Sequence, residues 1–411
     1  MSFLGGAFGS KRTKQEFGEQ ALAMVRAHGV TESEFDVEDF SIRYTAASGT
    51  RGQINLETVF RRTRSVTPRE GNRMLFDFVN VSPGLGGIKS PSEWEEAAPR
   101  LRPLIRQAGE LSTRMEGMRV ADHILWRPLL PGLMETLVVD HPTSMQRVHP
   151  SQLEKWDVDA ETVFATARAN LTGLALDTVA GYNARVNGGM LRIPDTDGNL
   201  YAGALPLVDG WLAGIGKKAG ARPLVFIAQN VGVLAGAELS ERHVLLLVNA
   251  ARELFDNAVR EVSPVPYTLD DAGRLVPYRV SRDHLAWKEI RNAEATLTAH
   301  AYRGQYENLR ADLDAGVIED YAAKIMHFRM EDGTESTSAP WTDTVPTLLP
   351  RTHNVTLTDV ETGDTFPVPW DVLAEVLDLK PEAGLYPDRY RVEHHPSPEV
   401  MDQLRAMSRF E

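Results

Sequence analysis

The pattern of apolar and polar positions opens with a helix: Phe17, Ala21, Met24, Val25 and His28 share one helical face, and Gly29 supplies the stop. Strand-like runs follow in "EDFSIRYTAA" and "RGQINL", separated by the turn "SGTRG", which predicts a hairpin. Leu56, Val59 and Phe60 then make a short apolar turn. Thr67, Pro68 and Glu70 supply an N-cap, a proline at the first helical position and a capping-box glutamate, so a second long helix is expected from Pro68. Its apolar side carries Met74, Leu75, Phe78 and Val79.

A similar order recurs later, with Leu153 and Trp156 in a short turn and Asp157 or Asp159 capping a helix that bears Val163, Ala167 and Leu171. The tetrapeptide shared by "ETVFRRTR" and "ETVFATAR" is out of register with this grammar. It precedes the capped helix in one copy and lies inside it in the other, so the match is coincidental. "RPLVFIAQNVGVLAG" reads as the strongest strand, apolar enough for burial on both faces. Ser240 caps a helix through "ERHVLLLVNAARELFDNAVREV", and "YTLDDAGRLVPYRV" reads as a hairpin.

A long helix is expected from about Asp283 to Leu313, and "KIMHFRMEDGTES" and "NVTLTDVETGDTFPV" each read as strand, turn, strand, before a short helix at "WDVLAEVL". Helices and hairpins mix without regular βαβ alternation, so the expected class is α+β. Mixed helices and antiparallel hairpins fill two N-terminal modules, and the long helix leads a β-rich C-terminal domain. The expected boundaries are a flexible tail at 1–14, an N-terminal module at 15–117, a central module at 118–280 and the last domain at 281–411.

The 411 residues carry 44 Lys plus Arg against 57 Asp plus Glu, a net charge of −13. Such an acidic chain is poorly suited to a phosphate backbone, so no nucleic acid is expected as partner. The absence of cysteine excludes disulfides, zinc–thiolate sites and thiol nucleophiles, and fits a reducing compartment. In "MSFLGGAFGSKRTK" apolar residues precede basic ones, the reverse of a secretory signal, so a cytoplasmic location is expected. No run reaches the roughly 18 apolar residues of a membrane span; Phe3, Leu4 and Phe8 offer at most a peripheral contact.

Motifs for chemistry fail on spacing. In "GLGGIKS", Ile88 stands where a P-loop needs Gly before Lys, and "GIGKKAG" from Gly214 follows a predicted helix instead of a strand. "DTDGNL" from Asp195 brings Gly198 two positions early for a calcium loop and Pro206 where a bidentate Glu is required, so it reads as a tight turn. His394 and His395 point to opposite sides of an extended segment. No cofactor and no metal are expected. The cluster best placed for acid–base work is Asp140, His141 and His149 around "HPTSMQRVHP", although the proline after each histidine also explains them as loop residues. Arg61, Arg62, Arg64, Arg69 and Arg73, diluted by Glu57 and Glu70, read as a solvated face.

The ordered blocks "HPSQLEKWDVDAETVFATARANL", "LDTVAG", "DGNLYAGALPL", "RPLVFIAQNVGVLAG" and "REVSPVPYTLDDAGRLVPY" resemble the YtpQ-like family of bacterial proteins, over about residues 17–280. The resemblance implies a bacterial cytosolic protein. It brings a domain of unknown function, with no activity, cofactor or catalytic residue attached. Matching positions that stand out are Trp156, Asn170, Leu171, Asp197, Tyr201 and Ala202. Core packing accounts for Trp156 and Leu171, which leaves Asn170, Asp197 and Tyr201 as binding candidates. The resulting expectation is a non-catalytic binding or scaffold protein whose partner is another protein, of open oligomeric state. The alternative is a hydrolase using Asp140, His141 or His149.

Overall fold

The structure, a computed structural model, describes residues 12–47, 49, 51–64, 66–80, 82, 85, 91–115, 118–141, 144–195, 200–230 and 232–408. Phe3, Leu4, Phe8, Asp197 and most of the "GLGGIKS" loop lie outside the described residues. The fold is α+β. Two compact units divide the chain, Met1–Arg100 with Val139–Gln146 and Leu101–Val138 with Arg147–Glu411.

In the smaller unit the first helix runs over Lys14–Ala27, and a capping box formed by Thr13 and Glu16 fixes its start. The expected hairpin is present as Ser41–Thr45 paired with Arg51–Asn55, and a strand that alternation had not marked, Glu32–Asp36, completes a three-stranded antiparallel sheet. Thr67 and Glu70 cap each other as their spacing predicts, and the helix Pro68–Asn80 follows. Phe17, Phe40 and Phe60 interlock at the centre, with Phe60 centroids 5.1 and 5.4 Å from the other two rings. Edge-to-face packing of this kind adds about 0.5–1.5 kcal/mol per pair beyond area burial.

In the larger unit the "RPLVFIAQNVGVLAG" run departs from its expectation. It forms two antiparallel strands, Pro223–Phe226 and Val233–Ala237, and its polar Gln229-Asn230 pair falls between them. Burial on both faces holds: Val225 and Ala235 face one core, while Leu224, Phe226 and Leu234 face another. These strands are central to a five-stranded antiparallel sheet whose outer members are Leu191–Ile193 and the hairpin Pro266–Leu269/Leu275–Pro277.

The long helix spans Trp287–Asp314 and leads a β-rich region. There the strands Met326–Arg329, Glu335–Thr342, Asn354–Thr358 and Thr365–Pro369 lie side by side, with a parallel pairing in the middle. One sheet face packs Ala339, Trp341, Val355, Leu357 and Val368 into a core closed by helices Trp370–Val376 and Pro398–Met407. The last of these helices is an element that the sequence pattern had not marked. Arg389 is fully buried and spans three elements, donating to Gln305 Oε1 and to the carbonyls of Ala323 and Leu348.

Candidate binding cleft

The other face of that four-stranded sheet is where the chemistry gathers. Alternation along strands sends every second side chain to this face, and the pairing register aligns Met326, Ser338, Asn354 and Pro369 in one row across it. On the long helix, the spacing of Arg291, Glu294, Leu297, Thr298 and Ala301 sets these residues along one stripe. The stripe and the sheet face border a cleft of about 1190 Å³. Trp287, Met326 and Phe328 give it an apolar rim, and the sheet face beneath carries Ser336, Ser338 and Thr356.

Glu294 is the centre of the cleft's charge. Its Oε1 lies 3.8 Å from Arg279 Nε and its Oε2 lies 4.0 Å from His353 Nε2. The backbone N–H of Thr337 donates to His353 Nδ1 at 3.2 Å, so a neutral ring must carry its proton on Nε2, facing Glu294. Burial, reinforced by Arg291, His327 and Arg279, pushes the His353 pKa down to about 3. Burial also raises the carboxyl of Glu294; Asp371 adds to the rise, while Arg279, Arg291 and Arg351 oppose it. Separation alone would suggest an ion pair, but both shifts favour the uncharged forms. We read Glu294 and His353 as a loosely held pair with a neutral imidazole, since a protonated ring would lose the Thr337 bond. Arg351 reaches Asp371 only at 3.9 Å. These long contacts leave guanidinium donors available to an incoming acceptor.

Among the described residues, none of the sequence candidates lines this cleft. Asp140 and His141 end the strand Leu133–His141 and belong to the smaller unit; His141 is buried and its Nε2 has no hydrogen-bond partner among the described residues. His149 belongs to the larger unit, where its Nδ1 accepts from the Ser151 N–H at 3.2 Å and its own N–H donates to Gln152 Oε1 at 2.7 Å. It thereby serves the start of the helix Ser151–Trp156. Asn170 sits at the C-cap of helix Ala160–Ala169 and donates to the Leu101 carbonyl at 3.0 Å. Tyr201 is buried in a left-handed conformation with φ 57°, and the Arg102 guanidinium lies 5.9 Å from its ring centroid.

Residues 196–199 of "DTDGNL" lie outside the described residues; beside them, the Asp195 carboxylate accepts from the backbone N–H groups of Leu200 and Ala202. Arg61 and Arg62 lie on helix Glu57–Thr63 and Arg69 and Arg73 on the next helix, all exposed. Among the described residues no group of three or more His, Asp or Glu is placed to hold a metal ion, and no helix is long and apolar enough to cross a membrane. Sequence reasoning missed Arg279, Arg291, Glu294, Arg351, His353 and Asp371 because they come from separate elements. The i, i+3 spacing of Arg291 and Glu294 on a helix with a polar stripe is the one local signal of the site in the sequence.

Comparison of the chain with protein-family models, curated proteins and solved structures returns no match.

Proposed function

We propose that this is a non-catalytic binding protein whose larger unit takes an extended, acidic and partly apolar segment of another protein into the cleft. The observation that carries this reading is the edge strand Met326–Arg329. Among the described residues it pairs on one side only, and Met326 and Phe328 stand 46% and 42% exposed at the rim of a cleft lined by Arg279, Arg291 and Arg351. An open edge offers backbone donors and acceptors to a strand from outside, and the alternating rim residues supply contacts for its side chains. The arginines favour acidic residues on that strand and repel basic ones. A volume of about 1190 Å³ exceeds the roughly 300–1,000 Å³ of ordinary small-molecule sites, which favours a chain segment. The bacterial, cytosolic setting implied by the YtpQ-like resemblance is compatible with this role. The hydrolytic alternative through Asp140, His141 and His149 has no comparable observation in its favour.

The test is selection of peptides from a random displayed library on the full-length protein, followed by fluorescence anisotropy with the peptides recovered. Acidic residues interleaved with apolar ones are expected. Phe328→Asp and Arg351→Glu should each weaken binding by about tenfold or more. Peptides that bind both variants as well as the parent would refute the proposal.

A further inference from the structure

A second charged cluster in the larger unit shares no residue with the cleft. The strand Leu101–Gln107 turns Arg106 inward until it is only 4% exposed. Its Nη1 donates to the Ile105 carbonyl at 2.9 Å, but its Nε has no hydrogen-bond partner among the described residues, the nearest carboxylate oxygen being Glu110 Oε1 at 3.8 Å. The other oxygen of Glu110 accepts from Arg147 Nη2 at 2.9 Å. Arg147 Nη1 is itself buried and unpartnered. Arg260, exposed to solvent, acts electrostatically on both Arg106 and Glu110.

Arg106 and Arg147 stand against one carboxylate, and Arg260 adds to the positive field around it. Burial pulls Arg106 down to about 10, with Glu110 pulling the other way, so it remains charged at neutral pH. Burial works to raise Glu110, yet Arg106, Arg147 and Arg260 hold it below the usual carboxylate range. Three cations against one anion leave two positive charges in excess. Two buried N–H donors beside uncompensated charge are a costly arrangement unless something accepts from them.

We propose that Arg106, Arg147 and Arg260 form a binding site for a phosphate group. A tetrahedral oxyanion carrying up to two negative charges matches the surplus, and its several acceptor oxygens suit the orphaned Arg106 Nε and Arg147 Nη1 together. A monocarboxylate would leave one charge uncompensated. Arg106 is buried, Arg147 half-buried and Arg260 exposed, so the three span the range from interior to solvent.

Free inorganic phosphate and a phosphomonoester present the same chemistry, and calorimetric titration of the full-length protein at low chloride with each of inorganic phosphate and phosphoserine separates them. Saturable binding at one site is expected. Arg260→Gln and Arg147→Gln should each weaken it roughly tenfold, the worth of one charge-assisted hydrogen bond. Glu110→Gln should tighten it, because a competing carboxylate is removed. Tighter phosphoserine binding identifies an esterified ligand and tighter phosphate binding the free ion, and both support the site. Because Arg260 is exposed, its variant isolates ligand binding from folding, and thermal melting checks all three variants. No saturable binding of either probe, or unchanged affinity in both arginine variants, overturns the proposal.

Discussion

Glu135 and Arg106 are both charged side chains buried in the larger unit, and their surroundings differ sharply. Glu135 is wholly buried, yet Arg127 Nε donates to it at 2.7 Å and Arg168 grips it with Nε at 2.8 Å and Nη2 at 2.5 Å. Arg127 also packs 4.1 Å from the Phe164 ring centroid. Among the described residues, no buried side-chain nitrogen or oxygen of this trio lacks a hydrogen-bond partner. Around Arg106 the nearest carboxylate oxygen stands at 3.8 Å and buried donors go unused. Short, two-pronged contacts that use every buried donor describe scaffold. Long contacts with donors to spare describe a site that can accept something. The cleft around Glu294, with separations of 3.8 and 4.0 Å, belongs with the second kind.

The largest effect is expected at Glu135. Glu135→Ala leaves Arg127 and Arg168 partly buried without their shared acceptor, and breaking such a pair from one side costs about 3–5 kcal/mol. Urea unfolding monitored by tryptophan fluorescence measures it. A loss below about 1 kcal/mol would put this trio on the level of a surface ion pair and dissolve the contrast.

The legibility of the molecule in its sequence follows the same line between local and distant determinants. Helix starts were readable because capping is local: Thr67, Pro68 and Glu70 act within one turn. The α+β class was readable because hairpins and long helices each leave a periodic trace. The split of "RPLVFIAQNVGVLAG" into two strands was not, since an apolar run buried on both faces has no alternation to mark a turn. The cleft was the least readable part. Arg279, Glu294, His353 and Asp371 come together only after the long helix has packed beside the sheet, and no short window holds more than one or two of them. The local signals at His149 and Asn170 fall at helix ends: His149 bonds at the start of Ser151–Trp156, and Asn170, at the C-cap of Ala160–Ala169, ties that end to the Leu101 carbonyl.

Acidification sharpens the comparison from the side of the cleft. His353 is held neutral, with its pKa depressed from 6.5 to about 3, by burial first and then by Arg291, His327 and Arg279. A depressed basic group contributes stability that is fully present above the unfolded value and is lost as pH falls from 6.5 toward 3. Glu294 has the opposite sign. Its raised carboxyl favours the folded state at low pH, and that contribution fades as pH rises through its folded value. Between pH 6.5 and pH 5 the histidine contributes up to ~1.4 kcal/mol per pH unit and ~1.6 kcal/mol in all, and comparison with His353→Gln separates that contribution from the opposing one of Glu294. The unfolding free energy from urea titrations should fall between the two pH values by clearly more in the parent than in His353→Gln. Equal slopes would mean that the imidazole titrates normally and that the cleft is wetter than its geometry implies.

The smallest effect is expected at Arg106, and its sign matters more than its size. Met is close to Arg in volume, carries no charge, and leaves Glu110 still bound to Arg147 at 2.9 Å, so Arg106→Met removes the unpartnered Nε at the cost of one hydrogen bond, that to the Ile105 carbonyl. Replacing an imperfectly compensated buried charge by an apolar side chain of similar shape is commonly neutral or stabilising. Without added phosphate the unfolding free energy should therefore change by less than about 1 kcal/mol, or rise. If Arg106 is maintained for an anion, phosphate will stabilise the parent against urea and leave Arg106→Met unmoved. A loss comparable to that of Glu135→Ala would instead make Arg106 a structural residue, and the two clusters would no longer represent different uses of a buried charge.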